Sequence, residues 1–374
     1  MSENRRDRFV RRILRGEDRS VGAALLRGAL YLLSLLHLLG LKLILWTEQV
    51  GLRKRFRAGV PVLVIGNLSS GGTGKTPMTV RVVRHLQSRG KRVVVLSRGH
   101  GGSSVERRIP GVVSDGSTIL LSPAEAGEEP VLIAEMLPGV PVVVCRDRRK
   151  SAALAEAQFS PEVLVLDDGL QHWKLHRDLD IVLLDARNPF DNGFILPRGL
   201  LREPPAHLSR AGIVVLTRAD RLTPAEVQAL RNRVQALAPR AAVFTAVHAP
   251  QAWLCAGDSH EQPLNLLAGK RAVGFAGIAD GVAFFQTVEQ LGVVLVAREA
   301  FRDHHPYSPE DMQRLQALAR QHDAVLVTTE KDLVKVQQLQ SNDAPPLFAL
   351  RIGMQVTDDV AFDTQIGLRL FGSS

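Results

Sequence analysis

Residues 60–80 read VPVLVIGNLSSGGTGKTPMTV, an apolar β-type run that breaks into a Gly/Ser loop, closes on Gly74-Lys75-Thr76 and continues into a helix-compatible stretch. Strand, glycine-rich loop and helix in that order form the turn in which backbone N–H groups wrap the phosphates of a nucleotide. In this reading Ser69, Ser70, Gly71, Gly72, Thr73 and Gly74 line the cradle, Lys75 reaches the β- and γ-phosphate oxygens, and the Thr76 hydroxyl holds Mg²⁺. The first glycine of the usual pattern, five residues before Gly74, is Ser69 here, and Gly71 and Gly72 supply the backbone freedom instead. The plain alternative is a glycine-rich β-to-α turn that binds nothing. A strand before, a helix after and an intact GKT argue against it.

Downstream, Val/Ile-rich runs at 92–96, 140–145, 163–166, 181–184 and 213–216 alternate with helix-compatible segments. They are continuous rather than alternating, as expected of strands covered on both faces, so the reading is an α/β fold with a doubly wound, mostly parallel sheet. Residues 103–121 read as a small hairpin turning at Ser114-Asp115-Gly116-Ser117. From about Gly269 the alternation restarts at 271–275, 293–296, 325–327 and 347–352, a second, smaller α/β domain. The less regular stretch at 247–268, with Pro250, Gly257 and Pro263, places the boundary near residue 265. The expected domains are therefore 1–50, 51–265 and 266–374.

The first of these carries its own signal. Residues 1–20 hold seven arginines against four acids, and residues 21–46 are then almost entirely apolar, interrupted by Arg27, His37 and Lys42. Basic flank followed by apolar run suits a membrane-associated helix on the cytoplasmic side. The stretch free of Lys, Arg and acids, 28–41, would span only ~21 Å of a ~30 Å hydrocarbon layer, so a helix lying in or dipping into one leaflet is expected. No small-residue cleavage site follows the run, which counts against a signal peptide. A buried core helix is the remaining alternative. A net charge of +9 points to an anionic partner, and Cys145 and Cys255, the only cysteines, have no disulfide or zinc spacing.

Ionisable groups cluster at strand and loop ends. Asp167-Asp168-Gly169 follows the 163–166 run, where a carboxylate beside a phosphate loop holds Mg²⁺ directly or through water. Gly127-Glu128-Glu129 precedes a helix, 196–204 (LPRGLLREP) sets guanidinium groups beside Glu203, and Phe301-Arg302-Asp303-His304-His305-Pro306 follows another apolar run. Taken singly, each is equally well read as a solvated turn or a satisfied structural charge.

The blocks GNLSSGGTGKTP, LSRG, AGEEP, LDDGLQHWKLHRD, LPRGLLREP, LTRAD, FRDHHPYS and TTEKD, in this order across nearly the whole chain, resemble the tetraacyldisaccharide 4′-kinases of lipid A biosynthesis. The resemblance implies transfer of the γ-phosphate of ATP to the 4′-hydroxyl of a tetraacylated glucosamine disaccharide 1-phosphate. It also implies a membrane surface and an anionic lipid as partners, no nucleic acid, and a place on the cytoplasmic face of the bacterial inner membrane. It assigns Glu128, paired with His304, to accept the hydroxyl proton, with Asp303, Asp168 and Glu203 in support and Mg²⁺ on Thr76, Asp167, Asp168 and Glu203. Two positions depart from the family pattern: Glu128 stands where Asp is usual, and His100 replaces the aromatic after Ser-Arg-Gly. Two rival readings are a membrane-partitioning ATPase, which lacks its signature lysine at Ser70, and a GTP-binding switch, whose guanine-reading lysine would be Arg218 of Thr217-Arg218-Ala219-Asp220.

Overall fold

The computed structural model describes residues 12–14, 16–52, 55–103, 109–257, 261–278, 280–303, 305–340 and 343–372. These fall into two compact units, one comprising Arg8–His248 with Met354–Ser374 and the other Ala249–Gly353.

In the first unit the strands stand in the order β3-β4-β2-β5-β1-β6-β7, followed by the beginning of β8 (Ala242–Cys255). Their ranges are β1 Val62–Asn67, β2 Val93–Ser97, β3 Gly111–Asp115, β4 Pro141–Val144, β5 Val163–Asp167, β6 Leu179–Asp185 and β7 Ile213–Thr217. Every pairing is parallel except β3 with β4. All residues of β1, β2, β5 and β7 are buried, which is what their unbroken apolar runs require of a sheet covered on both sides. Val62, Val64, Val94, Leu96, Leu164 and Leu166 form one core with Ala152 and Ala155 of the helix Arg148–Phe159. The doubly wound parallel sheet is thus the observed fold. The expected hairpin at 103–121 is reduced to β3 and a turn, with Asp115 N–H donating to Thr118 O and Leu120 N–H to Val113 O; residues 104–108 lie outside the described ones.

Before the sheet runs helix α1 (Val21–Gln49), whose 29 residues extend ~44 Å at 1.5 Å per residue. Over Val21–Thr47 it is long and apolar enough to cross a membrane, and only 6% of its most apolar part is buried against the rest of the protein. The buried-core alternative is therefore set aside. Leu25, Leu32, Leu36, Leu39 and Leu43 are exposed, and the Arg27 guanidinium is met by the Asp18 carbonyl at 2.6 Å.

The second unit carries β10 (Arg271–Ala276), β11 (Val294–Ala300), β12 (Val325–Thr329) and β13 (Leu347–Val356), adjacent in the order β11-β10-β12-β13 and parallel throughout, with β9 (Glu261–Gln262) antiparallel to β8. Its core joins Val273, Phe275, Leu326 and Leu347 to Met312 and Leu315 of the helix Pro309–Gln321. The domain boundary differs from the one expected near residue 265. Residues 242–255 form one 14-residue strand despite Pro250, so the apparent irregularity there is a long strand and the units divide within it, at His248/Ala249. Residues 354–374 also leave the second unit, because the helix Asp359–Phe371 packs into the first, where Phe362 meets Phe244 edge-on at 5.3 Å.

Candidate active site

The fully buried β1 delivers the chain to the phosphate loop, and helix α2 (Lys75–Ser88) begins directly after it. Gly74 holds φ +87°, and a Cβ there would sit 2.4 Å from Met354 Cε and 2.6 Å from His248 Nε2, so only glycine makes this turn. At Gly71 and Gly72 an added Cβ would meet nothing, which leaves that backbone open for a ligand. Thr73 Oγ1 and Asn67 Oδ1 are buried without a hydrogen-bond partner among the described residues, while Asn67 Nδ2 donates to Gly71 O at 3.2 Å. Buried polar atoms left unpaired are costly unless something else pairs them. Lys75 Nζ lies 3.5 Å from Gly71 O and 3.9 Å from Asp168 Oδ1, poised over the loop.

The two carboxylates at the end of β5 have opposite environments. Asp167 is buried beside β1, paired in register with Ile65, and accepts the Thr79 hydroxyl of α2 at 2.8 Å. Burial above all, with Glu129 and Asp168 nearby, pushes its carboxyl up to about 7. Asp168, at φ 48°, accepts from Arg202 Nη1 at 2.9 and 3.1 Å. Burial works to raise it too, but Lys75 and Arg202 overcome this and hold it below the ordinary carboxylate range. Arg148 lies behind the pair, 2% exposed, donating to Cys145 O at 2.8 Å, with Asp167 O at 3.5 Å; burial lowers it to about 10, so it stays cationic.

Glu203 is fully buried, and its oxygens accept from Arg210 (2.6 and 3.0 Å) and Gln171 (2.9 Å), with His207 Nδ1 at 2.8 Å. Burial opposes ionisation, yet His207 and Arg210 hold the carboxyl down at about 2. With both oxygens engaged by Arg210, His207 and Gln171, Glu203 anchors its loop in this arrangement. Gln171 passes this order on, donating to Asn67 O at 3.1 Å while its Oε1 accepts from Arg202 at 3.0 Å. Arg218, at the end of β7, pairs with Asp185 at 2.5 Å and donates to Gly72 O at 2.8 Å. It braces the phosphate loop from the side.

Glu128 opens the helix Glu128–Met136, capped by Gly127 at φ 91°. The Ser-Arg-Gly-His turn lies against this cap, since a Cβ on Gly127 would stand 2.6 Å from His100 O. His304 lies outside the described residues. In the second unit Asp303 stands 3.4 Å from Lys331 Nζ, and fully buried Asp332 accepts the Gly277 N–H at 2.9 Å, so FRDHH and TTEKD meet each other there. Arg148, Thr79, Asn67, Gln171 and His248 were missed by the sequence reading. Gln171 sits in the LDDGLQHW block, and Asn67 and Thr79 in the 60–80 stretch, where neighbours of the named residues were there to be noticed; Arg148 and His248 carry no local signal.

A phosphate loop with its lysine, beside a buried strand-end carboxylate pair on a doubly wound sheet, defines a P-loop nucleotide-binding protein. The comparisons narrow the class. Residues 26–370 match the family model of LpxK, the tetraacyldisaccharide-1-P 4′-kinases, and this chain belongs to that family. The tetraacyldisaccharide 4′-kinase of Geobacter metallireducens is 44% identical over 82% of this chain and 87% of its own length, and that of Desulfatibacillum aliphaticivorans 40% identical over 93% of each. The crystal structure of LpxK from Aquifex aeolicus in complex with ATP superposes with a TM-score of 0.74 at 31% identity, covering 92% of this chain and 100% of that one.

Proposed function

We propose that this chain is an ATP-dependent tetraacyldisaccharide 4′-kinase, forming the bis-phosphorylated lipid A precursor. The observation that carries the reading is the pairing of Lys75 with Asp168 over an open glycine loop, in a chain of this family. The 4′-hydroxyl oxygen attacks the γ-phosphorus, the bond to the β,γ-bridging oxygen breaks, ADP leaves, and Glu128 takes the hydroxyl proton. Lys75 and the loop N–H groups hold the phosphates in line, which matters more than the base because the transition state is loose and the work is positioning and charge stabilisation.

Mg²⁺ fits the residues present. A carboxyl raised by burial and then by neighbouring acids, as Asp167 is, gains from a cation, and Asp167, Asp168 and Thr76 would hold it. Among the described residues no group of three or more His, Cys, Asp or Glu is assembled for a metal, as expected of an ion that takes the rest of its shell from phosphate and water. It would neutralise charge on the transferring group. The Glu128–His304 pairing and the support from Asp303 rest on the resemblance alone. The exposed α1 supports association with a membrane, and the resemblance puts it on the cytoplasmic face of the inner membrane, which brings the loop to an anionic lipid acceptor. Arg218, whose guanidinium is committed to Asp185 and Gly72 O, lends nothing to the guanine-reading alternative.

Transfer of labelled γ-phosphate from ATP to the tetraacyldisaccharide 1-phosphate in detergent micelles tests the reading. Labelled lipid that disappears in Lys75→Ala is the expected result; ATP hydrolysis without labelled lipid overturns it in favour of a partitioning ATPase.

A further inference from the structure

Helix α1 is largely exposed, yet Ser34 in its middle is buried. Ser34 is 3% exposed, and its hydroxyl accepts the Arg198 N–H at 3.0 Å and lies 2.9 Å from Ile195 O. A serine buried at the centre of an apolar helix, with its hydroxyl on two backbone groups of a segment 161 residues away, is a fastening point. Tyr31, one turn earlier, meets Phe194 of the same segment edge-on at 5.8 Å.

The same segment, residues 190–204, then reaches the phosphate loop. Leu200 O accepts the Ser70 N–H at 2.7 Å, Arg202 N–H donates to Leu68 O at 2.6 Å, and the Arg202 guanidinium holds Asp168. Between the last contact with Ser34, at Arg198, and the first with the phosphate loop, at Leu200, stands Gly199 alone. A Cβ on Gly199 would lie 2.1 Å from Asn192 Oδ1 and 2.2 Å from Phe194 O, so the segment is folded tightly on itself there. Asn192 Nδ2 closes it further, donating toward Arg198 O and Leu14 O at 3.2 Å each. A short, internally bonded strap therefore runs from the lipid-facing helix to the N–H of Ser70 and the partner of Asp168.

We propose that this strap couples the seating of α1 in a lipid surface to the phosphate loop, with Ser34 as the positioning residue, so that lipid and ATP each favour binding of the other. A seated helix fixes Ile195 and Arg198 through Ser34; Gly199 leaves the strap no slack, and Leu200 and Arg202 hold Ser70 and Asp168 in the arrangement ATP needs. Ordering completed by one ligand no longer opposes binding of the second, and the coupling is reciprocal by thermodynamic necessity. The proposal rests on the nucleotide-binding reading of the phosphate loop and adds its regulation.

The test uses the full chain titrated with vesicles of phosphatidylethanolamine and phosphatidylglycerol, with and without saturating Mg²⁺ and a fluorescent ATP analogue, and the reverse titration of analogue with and without saturating vesicles. Nucleotide should tighten vesicle partition at least ~5-fold, the low end of site-to-site coupling, and vesicles should tighten nucleotide binding by the same factor. In Ser34→Ala both factors should fall to near one while the chain still melts cooperatively, at a lower temperature for the lost hydroxyl contacts with Ile195 O and the Arg198 N–H, and Ser34→Thr, which keeps the hydroxyl, should restore both factors. A wild-type partition indifferent to nucleotide, or Ser34→Ala retaining the full shift, overturns the coupling. A chain that binds the analogue in neither setting overturns the nucleotide-binding reading and the coupling with it.

Discussion

The phosphate-loop region and helix α1 invert the ordinary rule of burial in opposite ways. Around the loop, charged groups are inside: Asp167, Arg148 and Glu203 are 1%, 2% and 0% exposed. Along α1, leucines are outside, Leu25 at 71% and Leu32 at 64%. A buried charge persists only where partners compensate it, and an exposed apolar stripe of this length only where something apolar covers it. The charges around the loop are compensated within the protein, whereas the described residues leave the apolar surface of α1 uncovered. The difference is in how far each is prepared. Around the loop each charge is fixed by named partners beforehand, whereas α1 is fixed to its own unit chiefly through Ser34, Tyr31 and Leu38.

That contrast predicts where substitutions act. The largest effect belongs to Lys75→Ala, which removes a preorganised charge at the developing negative charge and should lower phosphate transfer ~10³-fold, against ~10²-fold for Glu128→Gln. Steady-state assays that reverse this order would show that proton transfer outweighs positioning. Next comes Glu203→Gln, which removes the charge that half-buried Arg210 and His207 close around and leaves Asp180, 3.4 Å from Arg210, as the remaining counter-charge; it should destabilise the fold by about 2 kcal/mol. Because the folded carboxyl sits at about 2, below its ordinary value, its stabilisation is present above ~4.3 and disappears as pH falls through 2. Melts of wild type and Glu203→Gln should accordingly differ at pH 7 and converge in acid; a gap independent of pH would mean that packing, not charge, is lost. The smallest effect on the fold is expected from Leu36→Glu on α1, within ~0.5 kcal/mol in stability, while vesicle partition should weaken ~10-fold or more for the lost apolar contact. Equal damage to folding and partition would erase the contrast between the two regions.

How much of this was legible follows the same division. Residues 60–80 and Asp167-Asp168 could be read because strand, loop and helix are contiguous and each local choice agrees with the next. Thr79 on Asp167, Arg218 on Gly72 and Arg210 on Glu203 could not be read in the same way. Hydroxyls and guanidiniums carry no mark of the strand end they will face, and two of these contacts join residues 88 and 146 positions apart. The exposure of α1 was undecidable from composition, because a leucine-rich run reads alike in a core and against lipid. The surroundings of Glu203, which the resemblance puts among the Mg²⁺ ligands, were equally hidden, since His207, at i+4 in a 3₁₀ turn, and Arg210 close around it only once the loop is folded. The units divide within the 247–268 stretch but upstream of residue 265, because the chain crosses between them inside the long strand β8, which Pro250 does not interrupt.

The return of the last stretch of chain to the first unit bears on synthesis. Arg81 of α2 pairs with Asp359 and Asp363 at 3.0 and 2.9 Å, and Met354 lies against Gly74. A ribosome releases domains in order, amino-terminal parts first. Here the nucleotide-holding unit lacks its Met354 contact and its closing helix until residues 354–372 have left the exit tunnel, long after Lys75 and Asp168 have emerged. A nascent chain halted before that point would carry every phosphate-loop residue without the packing that holds the loop in shape, so translation itself delays the moment at which the chain becomes competent for ATP.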